Sequence, residues 1–114
     1  MVSGGALLVA AAASLLLILS GLWAEKRFAS FDRLPAHFNG AGKPTRFASR
    51  RLMIWLTPVI FIALITLVIS LLATLPENQI NGDPDDAVVL MSTIIIGAQA
   101  FILWLTTRWA RGQE

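Results

Sequence analysis

Three long apolar stretches divide this chain. No Asp, Glu, Lys or Arg occurs from Met1 to Ala24, from Leu52 to Pro76, or from Ala87 to Thr107. An α-helix rises about 1.5 Å per residue, so roughly 20 apolar residues cross a hydrocarbon layer about 30 Å thick. Each stretch reaches that length. The pattern predicts an all-α integral membrane protein with three transmembrane helices, spanning about residues 2–24, 52–75 and 87–107. Between them lie an ordered interfacial cap loop at 25–51 and an acidic loop at 76–86, so that residues 1–114 make a single membrane domain.

Composition agrees: 56% of the residues are hydrophobic and only 14% charged, too few charges to cover a water-soluble domain. The first span reads as a retained helix rather than a cleaved leader. Leaders open with a basic segment and end at a small-residue cleavage site, whereas MVSGGALL has no base and Leu22, Trp23 and Ala24 make a poor site. With no Cys in the chain, thiol chemistry, disulfides and thiolate metal sites are excluded.

Charge sets an expected orientation. Residues 25–51 hold seven basic residues against two acidic ones, a net +5, whereas 77–86 hold four acidic residues and no base. Arg108 and Arg111 put the remaining basic residues on the same side as the cap in a three-span arrangement. Short loops rich in Lys and Arg stay in the cytoplasm, which predicts a bacterial inner-membrane protein with its N-terminus out and its C-terminus in. Attraction to anionic lipid reinforces this, at about 1 kcal/mol per surface Lys or Arg. Trp23, Trp55, Trp104 and Trp109 all fall near the basic interface, where an apolar ring with a polar N–H is favoured, and are the expected interfacial anchors.

No ionisable group lies inside the spans, although proton relays and coupled transport depend on such groups. What remains is mild polarity. Ala6, Ala10 and Ser14 recur at four-residue spacing on span one, and Thr66, Ser70 and Thr74 on span two. Small-residue stripes let helix backbones approach, either within the bundle or against another membrane subunit. Gln99 is the lone side-chain amide at depth and calls for a partner in the bundle or on a neighbour. Pro58 removes the donor for the Ile54 carbonyl and predicts a kink. In the acidic loop Pro76 ends span two. Asp83 suits a helix N-cap, Pro84 the first helical position, and Asp85 and Asp86 the positive end of the helix dipole.

The cap loop is too aromatic for a solvated linker, with Phe28, Phe31, Phe38 and Phe47 within it. Phe28, Phe31 and Leu34 repeat every three residues, so EKRFASFDRL is expected to extend span one as a short interfacial helix that Pro35 breaks. Gly40 and Gly42 permit positive φ in a tight turn, and Pro44 closes it. A lone His in such a turn, His37, most simply donates to a backbone carbonyl and holds the loop. One His with no Cys is a poor metal site, no nucleophile has an obvious base beside it, and the basic residues are too few to suggest nucleic acid. Contact of His37 with a quinone, a pigment, a lipid headgroup or a partner protein is the remaining alternative.

The run Leu34, Pro35, His37, Phe38, Asn39, Gly42, Pro44 between two apolar spans resembles the small bacterial membrane domain of unknown function found near the N-terminus of SdpI-type immunity proteins. The resemblance covers roughly Trp23 to Leu72. It implies the membrane fold element, with Pro35, His37, Phe38, Asn39, Gly42 and Pro44 as candidates for partner binding. In the SdpI group, members protect the producing cell from a secreted toxin and can hold a repressor at the membrane.

Together these features lead to the expectation of a non-enzymatic small membrane protein that acts by protein–protein contact, with no resident cofactor. It would serve as an accessory or assembly subunit of a larger bacterial membrane complex. An SdpI-like immunity or membrane signalling role is the alternative.

Overall fold

The structure is a computed structural model that describes residues 2–38, 40–41, 43–76 and 82–113. The chain runs in the order α1 (Gly4–Arg27), β1 (Arg33–Phe38), β2 (Pro44–Ser49), α2 (Arg50–Thr74) and α3 (Pro84–Gln113). All three helices are long and apolar enough to cross a membrane. The expected three-helix architecture is present, with one addition: the cap contains an antiparallel β-hairpin.

α1 and α3 have capped starts. The Ser3 hydroxyl accepts from the Ala6 N–H at 3.2 Å and caps α1. The Asp83 carboxylate accepts from the Asp85 N–H at 2.9 Å, with Pro84 opening α3 and Asp85 and Asp86 in its first turn, as the sequence leads one to expect. The Asp85 carboxylate also accepts the Ser3 N–H at 2.7 Å, tying the starts of α1 and α3 together. Pro58 lies inside α2 without ending it, its side chain fully buried beside the bundle axis.

Helices in lipid gain no hydrophobic driving force from meeting, so they associate by close packing. α1 supplies the smooth face. Its buried residues, Ala6, Ala10, Ala13, Leu17, Gly21 and Ala24, recur at three- or four-residue spacing. Against them pack Ile65 of α2 and Val88 and Ile95 of α3. Ala6 and Ala10 therefore do what their spacing suggests. Ser14 does not: it is half-buried and its hydroxyl turns back to the Ala10 carbonyl, while Ala13 takes the buried position. The stripe on α2 is a plain correction. Thr66, Ser70 and Thr74 are all exposed, and each hydroxyl donates to its own helix, to the carbonyls of Ile62, Thr66 and Leu71. They do not pack this bundle.

The cap also differs from expectation. α1 stops at Arg27, and Phe28 leaves helical geometry at φ −105°, ψ 20°. Leu34 precedes a proline, which disfavours the helical region for it and pushes it to an extended conformation. The three-residue repeat still points inward: Phe28 and Leu34 are buried and Phe31 is half-buried, now on a turn and a strand rather than on one helix face. Gly40 does not use positive φ; among the described residues only Gly82 does, at φ 79° in the acidic loop. Asn39 and Gly42 lie outside the described residues.

Candidate functional site

The hairpin is built from two six-residue strands. Arg33 pairs with Ser49, Leu34 with Ala48, Pro35 with Phe47, His37 with Arg46 and Phe38 with Pro44. Ala36 and Thr45 are the extra residues at the two register shifts. Leu34 and Pro35, in regular register with Ala48 and Phe47, are both buried. A two-stranded hairpin is marginal by itself, so its order comes from docking on the end of the bundle. Phe28 and Leu34 fill that seam against Ala24, Ile54 and Ala110.

Aromatic rings close the seam. The Trp109 ring lies 5.1 Å from Phe31 and 5.6 Å from Phe47, so it supports the hairpin from α3. Trp55 donates its indole N–H to Glu25 at 3.1 Å and lies against Gly21, where a Cβ would come within 2.5 Å of the ring. Trp23 meets Phe28 edge-on at 6.0 Å, and Trp104 stacks on Phe101 at 6.0 Å. Trp23 and Trp104 are the exposed pair, at 48% and 55%. Trp55 and Trp109 are half-buried and hold the cap.

Arg50 is the residue that sequence reasoning missed. Its Nη1 donates to the Ala29 carbonyl at 2.9 Å and the Phe31 carbonyl at 2.8 Å, and its backbone N–H donates to the Asp32 carbonyl at 3.0 Å. A single side chain thus pins the α1–β1 connection to the start of α2. Arg33 adds a bond to the Phe47 carbonyl at 3.3 Å. In the sequence Arg50 is one of a pair of arginines ahead of a span, a signal that reads only as positive charge.

The motif residues separate by exposure. Pro35 faces the bundle, Phe38 and Pro44 are half-buried at the end of the ladder, and His37 is exposed opposite Arg46. The His37 backbone carbonyl accepts from the Thr45 hydroxyl at 3.4 Å. The outward side of the hairpin therefore shows His37, Arg33 and Arg46, basic residues beside an imidazole. No group of three His, Asp or Glu able to hold a metal ion occurs among the described residues.

Below the cap, Gln99 is 4% exposed and links all three helices. Its amide nitrogen donates to the Ser20 hydroxyl of α1 at 3.1 Å, and its carbonyl accepts from the Thr57 hydroxyl of α2 at 2.9 Å. The partners are inside the bundle. Ser92, about two turns away on α3, is buried with an unpartnered hydroxyl.

Residues 32–62 match the domain of unknown function DUF1648. The matched segment contains both strands, Arg50 and the first half of α2 up to Pro58 and beyond, so the unit shared with that domain is the hairpin and the helix it is pinned to. No curated protein and no solved structure matches the chain.

Proposed function

We propose that this protein is a non-enzymatic membrane protein working by protein–protein contact, an accessory or assembly subunit of a larger membrane complex in the bacterial inner membrane. One observation carries this reading: the hairpin docks on the end of the bundle, with Trp109 against Phe47 and Arg50 tying down the connection that leads into β1, while His37, Arg33 and Arg46 stand exposed. A surface formed before binding loses little conformational entropy on binding. The net +5 of residues 25–51 supports a cytoplasmic position for this surface and an acidic partner.

A second reading draws on the resemblance of the His37 run to the domain found near the N-terminus of SdpI-type immunity proteins: an immunity or membrane signalling role of that type. The two differ in an accessible way. Solubilised in mild detergent, a subunit co-migrates with one abundant complex, and His37→Ala with Arg46→Ala releases it while leaving the helical circular dichroism signal intact. Migration of the wild-type chain near its own 12.4 kDa plus detergent, with protection against one toxin in a challenge screen, would reject the subunit reading in favour of immunity.

A further inference from the structure

α1 and α3 run alongside one another, and a furrow opens between them on the outside of the bundle. Its middle part, a space of about 500 Å³, is walled by Leu16, Leu19 and Trp23 on one side and Leu103, Trp104 and Thr107 on the other. It runs for about 10 Å, the rise from Leu16 to Trp23. The next space toward the α3 C-terminus holds about 320 Å³ and is lined by Trp104, Thr107, Arg108 and Arg111. Trp104 and Thr107 belong to both, so an apolar channel leads directly to a basic mouth. The Arg108 guanidinium lies 5.7 Å from the centre of the Trp104 ring, which holds that charge at the mouth.

We propose that this furrow seats one anionic phospholipid, with an acyl chain along the leucines and the phosphate on Arg108 and Arg111. The complementarity is chemical. Hydrocarbon fits a wall of Leu and Trp at membrane depth, and a guanidinium pairs with phosphate through parallel hydrogen bonds. Basic pockets at the ends of membrane helices take anionic headgroups, and exposed Trp at 55% marks Trp104 as a headgroup-level residue. The partial negative charge of the α3 C-terminus opposes an anion there, but two full positive charges exceed about half of one elementary charge. This site is independent of the cap and of the partner that the cap binds.

The test is lipid retention. The full chain in mild detergent is offered equal amounts of phosphatidylglycerol and phosphatidylcholine, and bound lipid is counted by native mass spectrometry. One phosphatidylglycerol per chain is expected, preferred about tenfold, the scale of two surface arginines acting together. Arg108→Gln with Arg111→Gln abolishes the preference. Arg46→Gln with Arg51→Gln removes the same charge from exposed positions outside the furrow and leaves the preference unchanged. Ala100→Phe, which fills the apolar wall at constant charge, lowers retention of both lipids. The proposal is overturned by any of three results: no preference in the wild type, equal loss from the two arginine pairs, or a dimer that Ala100→Phe dissociates while bound lipid stays the same. The last would assign the furrow to a second copy of the chain.

Discussion

Arg50 shows how much one side chain can decide at the cap. Its two carbonyl partners, Ala29 and Phe31, lie in a connection with little regular structure, so their order rests on that guanidinium. Hydrogen bonds to a charged group contribute about 1.5–3 kcal/mol when their loss leaves partners unpaired, and partial exposure places this case at the lower end. Arg50→Ala is therefore expected to raise amide hydrogen exchange across residues 33–38 and 44–49 by about tenfold, while Arg51→Ala next door, fully exposed, leaves it unchanged. Similar exchange in the two variants would remove Arg50 from this role. Gln99 and Ser92 make a contrasting pair on α3. Gln99→Leu gives up bonds to Ser20 and Thr57, and interhelical bonds in membranes average about 0.6 kcal/mol, so a loss of about 1 kcal/mol is expected in reversible unfolding. Ser92→Ala removes a buried hydroxyl that has no partner and should be neutral or stabilising in the same measurement.

At the scale of elements, α1 owes its role to being small-sided. The face made of Ala6, Ala10, Ala13, Gly21 and Ala24 lets α2 and α3 approach, and at Gly21 the approach is closest because the Trp55 ring occupies the space a Cβ would need. Gly21→Ala therefore forces Trp55 away from Glu25, an overpacking that costs about 1–3 kcal/mol despite the better helix propensity of Ala. The checks are thermal stability in detergent and a change in Trp fluorescence; an unchanged spectrum with raised stability would contradict the close packing. The hairpin behaves in the opposite way. It has no core of its own: Leu34 is buried in a seam with Phe28, Ala24, Ile54 and Ala110, and Phe47 stays exposed beside the Trp109 ring.

For the whole molecule, the open quantity is its direction in the membrane. The chain contains no Cys, so single-cysteine variants report position without background. Thr45 on the hairpin and Pro76 at the end of α2 are both exposed. In intact cells a membrane-impermeant maleimide is expected to label Pro76→Cys and to spare Thr45→Cys until the membrane is opened. The reverse pattern would place the basic cap outside. The whole molecule is 54 Å along its longest axis, against about 40–45 Å for a bilayer with its headgroups.

The sequence by itself determined the three spans, their caps at Asp83 and Pro84, the inward-facing rhythm of Phe28, Phe31 and Leu34, and the need of Gln99 for partners. These follow from local rules: hydrocarbon thickness sets helix length, caps act within a turn, and a buried amide must be bonded. Only the tertiary structure decided the hairpin, the choice of Ala13 over Ser14, the exposure of Thr66, Ser70 and Thr74, and the grip of Arg50 on Ala29 and Phe31. In lipid, apolar residues carry no preference between the bundle and the bilayer, so hydrophobicity could not reveal which face of a span turns inward. The hairpin is local in the chain but marginal by itself, and the Arg50 bonds join residues 19 and 21 positions apart, so both depend on the packing of the cap against the helices.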